Sequence, residues 1–272
     1  MKKILIGFVL VFLAILLYIV GSTSVEKIII NQQIKEFIGH SQLEYEDVVH
    51  KRAYYRVNLP NYHPEYSFDP MSQSPIRLSH PGDILVNLVG TFREAPAWIN
   101  DSLAFFIGGH SALVGNDDAL FEAIGFGDVP VIDHILYPNS GYPNIDDTGV
   151  YKGTNYWFSE PYTNEFFALR MKNATAGDMQ KAVANAQEYY DNRIKGEGGF
   201  NYLFIMNKTT KFYCGDVVNR AWSSFTPEGQ SKNFNLNKDG VASMQNDMLV
   251  SKDAYMYLYY KLDGDIDKYY YI

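Results

Sequence analysis

The stretch Tyr213-Cys214-Gly215-Asp216-Val217-Val218 decides how the rest of the chain is read, because it holds the only cysteine. Beyond it, Val217, Val218, Ala221, Trp222 and Phe225 recur at helical spacing. Residues 214–225 are therefore expected to form an amphipathic helix that starts at the cysteine. The first turn of a helix offers unpaired N–H groups and the positive end of the dipole, which favour a thiolate. A nucleophilic thiolate needs a base, and His110 follows the Gly108-Gly109 break, where a strand is expected to begin. The imidazole in turn needs an orienting acceptor. Gly115-Asn116-Asp117-Asp118 has strong turn chemistry, and a hairpin folded there would return Glu122 to the side of His110. Taken singly, a lone cysteine is more often a small core residue and a lone histidine more often structural. Spacing and composition leave both readings open.

Working outward from this trio, the pattern is α+β. Apolar runs of strand length occupy 84–89, 110–114, 119–124, 166–171 and 254–262, and a short helix is expected over 94–105. A longer helix over 175–193 carries Ala182, Val183, Ala186, Tyr189 and Tyr190 on one stripe. The expectation is a small antiparallel sheet or barrel packed by at least two helices.

The amino terminus sets the compartment. Lys2 and Lys3 precede an uninterrupted apolar run over 4–20, closed by Gly21-Ser22-Thr23-Ser24. Such a run suits either a signal anchor in the membrane or a cleaved signal peptide, and the lysines favour the cytoplasmic side. Three segments follow: 1–24 as signal anchor or signal peptide, 25–80 as an exported lead-in or stalk, and 81–272 as the folded domain. The 25–38 stretch is expected to be helical, and 40–80, rich in Tyr, His and Pro, extended and irregular. The expected location is the cell membrane with the domain on the extracellular side, or outside the cell if the segment is cleaved.

Composition narrows the chemistry. The chain has 272 residues, 47% of them hydrophobic, which is enough to build a core rather than a disordered polymer. Its net charge of −8 is a poor match for a phosphate backbone, so no nucleic-acid partner is expected. One cysteine excludes an internal disulfide and any Cys-rich metal site. Other motifs fail on inspection. Asp263-Gly264-Asp265-Ile266-Asp267 lacks the central glycine of a calcium loop, and Gly109-His110-Ser111-Ala112-Leu113 lacks the closing glycine of a serine-hydrolase elbow. Gly125-Phe126-Gly127 has no third glycine. No metal and no cofactor is expected.

The residues also carry a resemblance. Pro81-Gly82-Asp83-Ile84-Leu85, Gly109-His110-Ser111-Ala112-Leu113-Val114, Leu120-Phe121-Glu122-Ala123-Ile124-Gly125 and Tyr213-Cys214-Gly215-Asp216-Val217-Val218 fall in the order seen in YiiX/YebB-like proteins. That group is the circularly permuted branch of the NlpC-type papain-like cysteine hydrolases. Ala168-Leu169-Arg170 and Asn246-Asp247-Met248-Leu249 fall in place too, so the resemblance spans about 81–262. It implies a permuted papain-like fold in which Cys214 is the nucleophile, His110 the base and Glu122 the orienting member. The backbone N–H groups of Cys214 and Gly215 are the expected oxyanion donors. The implied activity is cleavage of an amide bond through a thioester, with cell-wall peptide as substrate. The alternatives are a lipid-directed acyl hydrolase or acyltransferase of the same fold and a catalytically silent binding module. This chain departs from the family in two places. Gly215-Asp216 stands where members often have Ser-Glu, and the aromatic stretch 126–165 is longer than a minimal member needs. That stretch, with Tyr142, Tyr151, Tyr156 and Trp157, is expected to overhang the cleft.

Overall fold

A computed structural model describes residues 2–60, 67–88, 109–124, 148–158, 164–201, 210–237 and 243–272, with the side chains of 2–9, 11–16 and 19 outside that description. The expected helix over 94–105 and most of the aromatic stretch 126–165 lie outside the described residues. The order is α1 (Lys2–Gly39), β1 (Ser41–Asp47), β2 (Arg52–Val57), a 3-10 turn (Pro75–Leu78), β3 (Ile84–Val86), β4 (Ser111–Val114) and β5 (Ala119–Ile124). Then follow β6 (Gly149–Thr154), β7 (Glu165–Met171), α2 (Ala176–Ile194), β8 (Gly199–Phe200) and β9 (Lys211–Phe212). The chain closes with α3 (Cys214–Ser223), α4 (Gln245–Val250), β10 (Ala254–Asp263) and β11 (Ile266–Tyr271). The class is α+β.

Among the described residues, β1-β2-β11-β10-β7-β3-β4-β5-β6 form one nine-stranded sheet, and β8 and β9 a separate parallel pair. The large sheet is wider than expected and mixed, since β2 and β11 run parallel while its other neighbours are antiparallel. Residues 41–57, expected to be part of an irregular lead-in, supply two of its strands. Their partner, β11, lies at the other end of the chain, so no local pattern could announce the pairing. Aromatic pairs fasten this half: Tyr54 stacks on Tyr269 at 5.3 Å and Tyr55 on Tyr270 at 4.7 Å. Tyr260 and Tyr259 meet Phe166 and Phe167 at 4.8 and 5.3 Å. Cross-strand rings at these separations each add about 0.2–1 kcal/mol. The Asp263-Gly264-Asp265 segment is the turn between β10 and β11, with Gly264 at φ +65°.

Both faces of the central strands are buried, with alternate residues facing opposite ways. Ile84 and Val86 join Leu113, Phe121, Phe167 and Leu169 on one face, under Ala182, Val183 and Ala186 of α2 and Val218, Ala221 and Trp222 of α3. Leu85, Ala112, Leu120 and Ala168 face the other way, against Tyr54, Phe68, Trp157, Phe158 and Tyr269. Residues 25–38 do form helix, as the later part of α1, whose Ile30 and Phe37 pack into the helical layer beside Met248 and Leu249 of α4. Among the described residues, no helix is long and apolar enough to cross a membrane.

Two of the quoted sequence pieces meet inside this frame. The Arg170 guanidinium on β7 donates from Nε and Nη2 to the two oxygens of Asp83, at 2.7 and 2.6 Å, with Asp83 wholly buried. The His80 N–H also donates to Asp83, and the Arg170 guanidinium lies 4.5 Å over the Tyr257 ring. Removing one member of a buried pair strands the other charge, at a cost of about 3–5 kcal/mol. Arg170→Ala should lower the unfolding free energy by about that amount in urea titration, and Arg170→Ala/Asp83→Leu should recover part of it.

Candidate active site

The hairpin that carries His110 and Glu122 is set by its turn. Asp117 and Asp118 both adopt left-handed backbone, at φ 55° and 58°, and the Ala119 N–H closes on the Asn116 carbonyl at 3.1 Å. Two successive positive φ values define the tight turn that matches strand twist, and Asn and Asp tolerate it best. His110 precedes β4 by one residue. Its N–H donates to Asn87 Oδ1 and its carbonyl accepts the Asn87 N–H, both at 2.9 Å, so the end of β3 clamps it.

The ring is then held on several sides. Nε2 lies 2.7 Å from Glu122 Oε2, and both side chains are nearly fully buried. The Tyr156 hydroxyl donates to Glu122 Oε2 at 3.1 Å. Trp157 stacks on the imidazole at 6.2 Å and 23°. With Nε2 committed to Glu122, the hydrogen bond from His110 to the Cys214 side chain falls to the other ring nitrogen.

Cys214 is the first residue of α3 and is partly exposed. Burial works against a thiolate here, but the hydrogen bond and charge of His110 and the backbone N–H groups of Ser111 and Gly215 outweigh it, holding the thiol below its usual range. The imidazole behaves reciprocally. Burial opposes its charge, yet the bonds to Cys214 and Glu122 hold it well above the ordinary histidine value. The charged form of each group thus favours the charged form of the other.

The structure brings Cys214, His110 and Glu122 together. Gly215, expected as an oxyanion donor, turns its N–H to the sulfur itself. It also permits a close approach: a Cβ added there would stand 1.9 Å from the Ser243 carbonyl oxygen. The Ser243 N–H donates to the Tyr213 hydroxyl at 2.5 Å, so the segment before α4 is strapped to the base of α3. Asp216, at the third position of α3, is wholly buried; burial pushes its carboxyl up to about 6 against the pull of Arg220.

Sequence reasoning missed Gln245. At the start of α4, it places Nε2 3.1 Å from Cys214 Sγ and 3.5 Å from Ser111 Oγ. A glutamine in a short polar segment, thirty-one positions from the cysteine, carries no local signal of this role. Asn87, Tyr156 and Trp157 were also unassigned, although Tyr156 and Trp157 belong to the aromatic stretch expected near the cleft. Comparison of the chain with family models, with curated proteins and with solved structures gave no match in any of the three.

The pair has a pH signature. A depressed thiol value keeps the thiolate present above that value and removes it as pH falls through it. Iodoacetamide should therefore label Cys214 faster at neutral pH than it labels an unperturbed thiol, with the rate falling as pH falls. Glu122→Gln removes the imidazolium's partner and should shift that limb to higher pH, read from alkylation rate against pH. Gly215→Ala drives a methyl into the Ser243 carbonyl, which must move and take Gln245 with it. Unfolding should cost about 1–3 kcal/mol less in urea titration, the usual penalty of overpacking.

Proposed function

We propose that this chain is an exported cysteine hydrolase with a permuted, NlpC-type papain-like fold of the YiiX/YebB-like kind, acting on amide bonds of cell-wall peptides. The observation that carries the reading is the relay itself: a cysteine at a helix start, hydrogen-bonded to a buried histidine whose far nitrogen meets a buried carboxylate. Structural cysteines are inert and have no need of such a neighbour.

In this mechanism the Cys214 thiolate attacks the carbonyl carbon and forms the S–C bond. The imidazolium of His110 gives its proton to the departing amine as the C–N bond breaks, leaving a thioester on Cys214. Neutral His110 then takes a proton from water, the hydroxide adds to the thioester, and the carboxylic acid leaves as the thiolate returns. Glu122 holds the ring in one orientation and offsets its charge when it is protonated. Tyr156 fixes the carboxylate, and Trp157 closes the flat side of the ring to water. The apolar run over 4–20 supports export, with the domain outside the membrane or released by cleavage.

Cys214→Ala should abolish release of new amino ends from purified wall peptides while leaving the circular dichroism spectrum unchanged. Intact mass of the wild-type chain, quenched during turnover, should show one peptidyl adduct on Cys214. An adduct formed only with phospholipid vesicles would transfer the reading to lipid acyl groups, and no adduct with either would end it.

A further inference from the structure

Gln245 is almost completely buried, at 1% exposure, and its amide is oriented at a cost. Nε2 points at Cys214 Sγ and towards Ser111 Oγ, while Oε1 is buried with no hydrogen-bond partner among the described residues. Leaving a buried acceptor unpaired is unfavourable, and a methionine or leucine would fill the same space without that loss. Reversing the amide would set Oε1 against the lone pairs of a thiolate, so the sulfur enforces the orientation with N–H inward. The side chain is therefore held for its donor.

We propose that Gln245 is a catalytic residue, donating to the acyl oxygen when Cys214 attacks a carbonyl. This rests on the hydrolase reading above. In the thiolate form that attacks, the negative charge sits on sulfur, and the donors converge there: the N–H groups of Ser111 and Gly215 and the Gln245 amide. As the sulfur lone pair forms the S–C bond, the carbonyl π pair moves to oxygen, and the charge leaves the sulfur for an atom about one bond further out. The two backbone N–H groups are fixed by β4 and α3. Gln245 alone among these three donors has side-chain torsions with which to follow the charge. When the tetrahedral centre collapses, the pair on oxygen restores the C=O bond, the leaving group departs with its electrons, and the amide returns to the sulfur. A donor already beside the nucleophile needs little reorganisation at the moment of reaction, which is the condition for effective oxyanion stabilisation.

Two probes separate this role from simple support of the thiolate. p-Nitrophenyl acetate acylates Cys214 through a tetrahedral oxyanion and expels p-nitrophenolate. Iodoacetamide alkylates the same sulfur by displacement at a saturated carbon, where no oxyanion forms. With the full chain, Gln245→Met should slow the p-nitrophenolate burst about 100-fold, the scale of a single lost oxyanion donor. Its iodoacetamide rate should stay within about threefold of wild type. Gln245→Glu, nearly isosteric, should show the same loss in acylation with its thiol titrating at higher pH, and it decides the matter if the methionine variant does not fold. Equal losses with both probes would overturn the proposal in favour of thiolate support, and no loss with either would leave Gln245 a space-filling residue. A wild-type chain alkylated by iodoacetamide but never acylated by the ester would instead bring down the hydrolase reading, and this role with it.

Discussion

A thiolate away from water is tolerable only beside a compensating charge, and the arrangement around Cys214 follows from that constraint. The imidazolium supplies the charge, but a buried imidazolium needs a carboxylate of its own, so the pair becomes a chain of three. Each member comes from a different piece of the fold: the start of a helix, the start of a strand, and the strand across the hairpin. Their separations are therefore set by backbone contacts rather than by flexible side chains. The Asn87 clamp fixes one end, the Asp117-Asp118 turn fixes the register between the two strands, and the Tyr213–Ser243 bond holds α3 against the segment that brings Gln245. Loosening any of these moves a charge relative to its partner in a medium of low dielectric, where small displacements are energetically large.

The same constraint explains which parts were legible in the sequence. Cys214 could be found because a helix start announces itself through periodicity, and Glu122 because the turn before it is written in Asn and Asp. Both signals are local. The strands at 84–86, 111–114, 119–124 and 165–171 and the helices at 176–194 and 214–223 also lie close to their expected positions, for the same reason. What stayed hidden depends on partners distant in the chain. Gln245 has meaning only once α4 is packed against α3, and nothing in Met244-Gln245-Asn246 differs from a solvated turn. Tyr54 and Tyr55 read as part of a polar, proline-bearing lead-in because the rings they stack on, Tyr269 and Tyr270, lie at the far end of the sequence. The breadth of the sheet was underestimated accordingly.

Gly215 and Asp216 illustrate how one local choice propagates. A residue without a side chain next to the nucleophile lets the Ser243 carbonyl come close, and that approach brings Gln245 to the sulfur. The buried Asp216 carboxyl, one position on, shares the same helical turn and is shielded from water by it. A serine at position 215 would leave no room for this packing, so the bare glycine and the glutamine beside Cys214 belong to one solution.

The parallel pairing of β2 with β11 has a bearing on the order in which the chain becomes structured. Residues 52–56 meet residues 267–271, far later in the sequence, and β11 lies between β2 and β10. The edge formed by β1 and β2 must wait, unpaired on one side, until β11 is in place. Closing a loop of that length has an entropic cost that nearby contacts do not repay until both ends are present, so this half of the sheet is expected to assemble slowly and late. The tyrosine-rich edge therefore cannot lock before the distant strand reaches it, which leaves the strands and helices around the hairpin free to pack first.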